Sequence, residues 1–398
     1  MFTKVFSRNL FSIALFFLLW SAGVGVLIRY VQTFGISGFE AGKWIQGHSH
    51  VAFLGWGFLG VMHLLNQKTQ FILQKWDVIF YTVLIISLLG MMVCFPLFGY
   101  KLIPILFLVV FLLASYGILI RFYQHLKKYE VAEKKWFTSA LFYYFLSSVV
   151  VWIIPVVIAI YGKSTLYYNL IYFYLHFLYN GFFTFALWGL LFQKLGNNSN
   201  LIPQKAFKLF FLLMQITVIP TYILSLYWNP VSNVIQLIGI SSATLQLIAI
   251  FMLLKQLLKQ TKILNKSFIF LLIVGIFGDK ILMQFLSSFY ELANKAIALK
   301  PYFVVGYLHW FTIGFLTFSL IWLSDSLKNK LGKMGFVLLA MGFFITEIIL
   351  FYKGIAILMG WNVDLLPFSG LFYGSLLLFI GVLILFIKSS ISFHSLKF

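Results

Sequence analysis

The sequence predicts an all-α integral membrane protein of about twelve transmembrane helices arranged as three pseudo-symmetric four-helix units. Three observations predict it. Of the 398 residues, 62% are hydrophobic and only 10% charged, whereas soluble domains carry roughly 25% charged residues to cover their surface. Apolar runs of about 19 to 25 residues recur along the whole chain, each long enough to cross a hydrocarbon core of roughly 30 Å. A histidine-centred motif appears three times, at intervals that each hold four such runs.

The runs lie at 10–31, 47–66, 77–99, 101–123, 138–162, 166–192, 206–228, 231–254, 267–288, 301–324, 333–352 and 367–388. The first follows a basic start, which is also the outline of a signal peptide. It is long for one, and it is read as the first helix. Short connections leave no room for a soluble domain, so residues 1–398 read as a single membrane domain in contact with lipid.

The net charge of +20 sits in the connections. This excludes a nucleic-acid binder, which would gather its basic residues on an aromatic-studded face. Lys4 and Arg8 precede the first run, and Lys68 and Lys75 follow the second. Arg121, Lys127, Lys128, Lys134 and Lys135 follow the fourth, and Lys194, Lys205 and Lys208 the sixth. Lys255, Lys259, Lys262 and Lys266 follow the eighth, and Lys328, Lys330 and Lys333 the tenth. Connections after odd-numbered runs are sparser, and the one over 229–233 has no basic residue. By the positive-inside rule both termini are expected in the cytoplasm, with the chain crossing a bacterial-type inner membrane many times.

The repeated motif is His-x4-Gly-aromatic: His50 to Trp56, His176 to Phe182 and His309 to Phe315. Gly181-Phe-Phe-Thr-Phe and Gly314-Phe-Leu-Thr-Phe extend the match in the second and third copies. The histidines are 126 and 133 residues apart, which divides the chain into repeats of roughly 1–135, 136–262 and 263–398. Because four is even, the repeats keep one orientation and are related by an axis along the membrane normal, unlike inverted-repeat transporters. The three histidines are therefore expected at one depth in the outer half of the membrane. The glycine five residues on suits close helix packing.

An unpaired histidine inside a membrane is costly, so it marks a hydrogen bond, a proton pathway or a metal. Cys94 is the one cysteine, which excludes a disulfide framework, a CxxCH haem attachment and a thiolate copper centre. Metal chemistry would rest on histidine. His50 and His309 are the candidate axial ligands of a haem, with Trp56, Trp310 and Phe182 placed to line a porphyrin. His48 pairs with His50 as His-x-His; it serves a second site on the opposite helix side or caps the interfacial end. His176 is a metal candidate, or it hydrogen-bonds Tyr179, Tyr172 or a backbone carbonyl. His63 reads as interfacial, and His125 and His394 as cytoplasmic. Asp279, Lys280 and Glu347 are intramembrane charges expected to form ion pairs or carry protons. Arg29 and Lys353 lie where haem propionates would need cations, or snorkel to the interface.

The segment Gly47-His-Ser-His-Val-Ala-Phe-Leu-Gly-Trp-Gly resembles the His-x-His-x3-Leu-Gly-Trp type found in subunit I of the haem-copper oxidase superfamily. The resemblance implies a low-spin, bis-histidine haem b held by His50 (or His48) and His309 on the second and tenth helices. It also implies a copper or non-haem iron, or a second haem, near His176. The chain departs from that pattern in three places. Residues 207–228 lack the expected His-His pair, the tenth helix has one histidine, and Asn180 stands where a tyrosine is often found. The reduced set is similar to the NnrS-type haem membrane proteins linked to nitric oxide metabolism. The implied function is electron transfer, or O2 or NO handling, by an oxidoreductase-like chain with an incomplete binuclear centre, an electron donor and respiratory partner subunits. Two other readings stay open: a haem-free transporter or channel using the histidines for metal or proton relay, and an assembly partner with vestigial ligands.

Overall fold

The computed structural model describes residues 2–196, 204–259 and 268–394. Lys262 and Lys266 lie outside them. The described chain is helical throughout, without a strand. The helices are α1 (Phe2–Phe34), α2 (Ala41–His50, Val51–Phe58 and Leu59–Lys68 in succession), α3 (Lys75–Phe98), α4 (Leu102–Lys128) and α5 (Lys134–Tyr161). There follow α6 (Thr165–His176, Phe177–Phe183 and Thr184–Gly196), α7 (Gln204–Thr217, then a 3-10 segment Pro220–Leu226) and α8 (Asn233–Leu258). The last are α9 (Phe268–Leu286), a short connecting helix (Tyr290–Ala298), α10 (Lys300–His309, Trp310–Thr317 and Phe318–Leu323), α11 (Lys330–Met359) and α12 (Ser369–His394).

Among the described residues, ten helices are long and apolar enough to cross a membrane, or eleven if the two arms of α7 count as one span bent by 46°. The expected twelve is corrected by α2. That helix is long enough, but Gln46, His48, Ser49, His50, His63 and Asn66 make it too polar to pass on apolarity. Two of these residues, His48 and His50, are the ones that suggested a site.

Two compact units divide the chain, one of residues 1–130 and 320–398 and one of residues 131–319. In the first, α1 packs on α2 and α12, α2 on α3, α3 on α4, and α11 on α12. Helices α11 and α12 meet backbone to backbone: a Cβ on Gly342 would fall 2.5 Å from the Gly374 carbonyl, and one on Gly381 2.5 Å from the Leu339 nitrogen. Small residues allow this approach where lipid gives no hydrophobic drive for helices to associate. Asn66 of α2 donates to the Tyr81 hydroxyl of α3 (2.8 Å), and Arg121 of α4 reaches the buried Asp77 and Gln74 at the start of α3.

In the second unit, α5 packs on α6, α7 on α8, α8 on α9 and α9 on α10. Trp136 of α5 is fully buried among Phe185, Phe192, Phe207, Phe210 and Phe211. Part of the aromatic richness is therefore core.

In each of α2, α6 and α10 a π-helical segment begins at the residue after the histidine: Val51, Phe177 and Trp310. Such segments are rare, and they cluster at functional sites. They also explain the motif threonines. Thr184 Oγ1 donates to the Tyr179 carbonyl (2.7 Å) and Thr317 Oγ1 to the Thr312 carbonyl (2.8 Å), each five residues back, the spacing a widened turn presents. The motif glycines let the preceding helix approach. A Cβ on Gly55 would meet Phe17 Cβ at 2.7 Å, and one on Gly181 would meet Tyr143 Cβ at 2.5 Å.

Candidate functional site

In the first unit, α2 carries His48 and His50, both half-buried. His50 Nδ1 lies 2.9 Å from the Gln46 carbonyl, and His48 Nδ1 lies 2.9 Å from the Ser21 carbonyl of α1. A carbonyl only accepts, so each Nδ1 carries the hydrogen and each Nε2 keeps its lone pair. The two rings point to different neighbours, as residues two apart on a helix do: His48 toward Ser21 on α1, and His50 onto Phe95 of α3, stacked at 4.5 Å and 21°. Close by, Gln46 Oε1 and Ser21 Oγ are buried without a protein hydrogen-bond partner. Unpaired buried oxygens of this kind call for an explanation, often a group the protein binds. Trp56 is packed in the core, 5.7 Å from Phe11, which also contacts His63 at 5.4 Å. His125 bonds the Thr69 carbonyl (2.9 Å).

In the second unit, His176 is 2% exposed and both its nitrogens are engaged. Nε2 donates to the Val218 carbonyl (2.8 Å), and Nδ1 accepts from Asn180 Nδ2 (3.1 Å). The first bond has a local cause. Pro220 lacks an N–H and breaks α7, freeing carbonyls that side chains must satisfy at membrane depth. His176 and Thr221 do so at Val218. The carbonyl alternative for His176 is the arrangement seen, and no lone pair of this ring is left for a metal. Asn180, where the resemblance would place a tyrosine, passes the network on: its Oδ1 accepts from Lys280 Nζ (2.5 Å).

Lys280 does not pair with a carboxylate. Its ammonium turns to Asn180 and to Gln284 Oε1 (2.6 Å), while the adjacent Asp279 is exposed. Glu347 is fully buried in the first unit, where it accepts from Thr346 and lies within electrostatic reach of Arg29. Arg29 bonds Gln32 (2.8 Å), and Lys353 bonds the Val363 carbonyl (2.9 Å) over the Phe368 ring. His309 is half-buried at the entry to its π-helical segment, and Trp310 donates its indole N–H to the Ile276 carbonyl of α9 (3.0 Å). Among the described residues, no three His, Cys, Asp or Glu side chains gather as a metal site. A cleft of about 350 Å³ lies at the α7 bend, lined by Thr217, Pro220, Leu237 and Ser242 among others, apart from these histidines.

No protein-family model matches the sequence, and no curated protein does. The site's chemistry therefore rests on the geometry above.

Proposed function

We propose that this chain is a haem-binding membrane protein in which Nε2 of His50 is an axial ligand of a b-type haem. The carrying observation is the His50 hydrogen bond. A ligating imidazole typically donates its other N–H to a carbonyl or carboxylate, which fixes the tautomer and aims the lone pair at the metal. His50 Nδ1 is held in that way by Gln46. The unpartnered Gln46 Oε1 and Ser21 Oγ supply polar contacts of the kind a bound porphyrin would use. A second axial ligand is implied by the sequence resemblance alone, and His48 Nδ1 is pinned by a carbonyl in the same way as His50. When bound, haem would supply one-electron redox chemistry or a site for O2 or NO. The chain's own contribution is to fix the imidazole tautomer through the Gln46 carbonyl.

His50→Ala protein is expected to lose most of its haem, measured per mole of purified protein, while His176→Leu protein keeps it. Equal haem in both would sink the assignment. The haem-free transporter remains the second reading, favoured by the buried Lys280 network. On the loop charges we also place both termini in the cytoplasm. A reporter fused at the C-terminus is expected to be active only as a cytoplasmic species, and activity restricted to the opposite side would reverse the topology.

A further inference from the structure

Lys280 is 1% exposed on α9, and the haem reading gives it no task. Its Nζ donates to Asn180 Oδ1 of α6 (2.5 Å) and to Gln284 Oε1, one turn along α9 (2.6 Å). Gln284 Nε2 in turn donates to Gln246 Oε1 of α8 (2.9 Å), and the Tyr307 hydroxyl of α10 stands 3.5 Å from Gln284 Oε1. The amide orientations are forced. Asn180 spends Nδ2 on His176 Nδ1, so it can offer Lys280 only its oxygen; Gln284 spends Nε2 on Gln246 and likewise offers its oxygen.

Every acceptor offered to this nitrogen is therefore neutral. The titratable groups on the elements packed around it are His176 and Tyr179 on α6 and Tyr307 on α10, while α8 presents Gln246 and the Asp279 of α9 is exposed. His176 is no rival base, because the Nδ1 lone pair is taken by Asn180. An ammonium has three N–H donors, and an amine has two and a lone pair. The cage supplies two acceptors. The amine matches that number, and the ammonium keeps the same two bonds, made stronger by its charge. A proton can be added or removed without moving a neighbour. A permanently charged lysine at this depth would call for an anion, and none is present among its partners.

We propose that Lys280 is a proton-binding site within the hydrophobic layer. The step is R–NH2 + H3O+ → R–NH3+ + H2O: the nitrogen lone pair forms the new N–H bond, hydronium gives up the proton and is left as water, and Asn180 and Gln284 hold the nitrogen in place through both states. The site stands whether or not haem is bound.

The test is an NMR titration of lysine side chains in the full chain, isotopically labelled and held in lipid nanodiscs. Exposed lysines stay charged up to about pH 10, so a buried titrating lysine stands apart. One lysine is expected to pass from ammonium to amine between about pH 5 and pH 9, and its signal to be missing from Lys280→Gln protein, whose amide can still bond its neighbours. If that variant does not fold, Lys280→Arg, which stays charged throughout, makes the same assignment. The proposal is overturned if no lysine titrates in this range, or if the titrating signal survives in the folded variant.

Discussion

At His176 the imidazole works as a bracket between two helices. It holds the carbonyl that the break in α7 exposes, and it fixes the Asn180 amide that faces Lys280. Removing it leaves a buried carbonyl short of one donor and a buried amide without its acceptor, each worth about 1–3 kcal/mol. His176→Leu protein is therefore expected to lose about 2 kcal/mol or more of stability, read as a lower thermal midpoint in detergent. A wild-type midpoint would show that the bracket is unimportant. The sequence singled out this histidine but left ligand and hydrogen bond as alternatives, because the deciding partner, Val218, lies 42 residues away on another helix. Lys280 was legible as an intramembrane charge. Its amide partners were not, since Asn180 lies 100 residues away and carries no mark of its own.

Among the elements, α2, α6 and α10 share a histidine followed by a π-helical segment and a motif glycine, which in α2 and α6 lies under the preceding helix. The histidine and glycine were visible as a motif. The widened turn was not, because no residue type compels it; only the Thr184 and Thr317 bonds, seen in the fold, give that motif position a purpose. Close approach is the part most open to test. In Gly181→Ala protein the new methyl would meet Tyr143 Cβ at 2.5 Å, and overpacking of this kind costs about 1–3 kcal/mol. Trimming Tyr143→Ala keeps the offending Cβ, so it should not rescue the variant. Thermal midpoints of the single and double variants check both statements, and full rescue would show that the ring, not the backbone approach, sets the limit.

For the whole molecule, composition sufficed for an all-α membrane protein, since a chain with so few charges can cover its surface only with lipid. The number of spans was less legible. A helix lined with Gln46, His48, His50, His63 and Asn66 reads as a span by length and as something else by polarity. Conflicts of that kind are expected at functional sites, and this one falls on the helix where Gln46 holds His50 Nδ1 and Ser21 holds His48 Nδ1. The most direct test is the reduced-minus-oxidised absorbance spectrum of the purified wild-type chain, expressed with haem in supply. A Soret band and the sharp alpha band of a low-spin b-type haem are expected; a colourless protein with His50 intact would contradict the account.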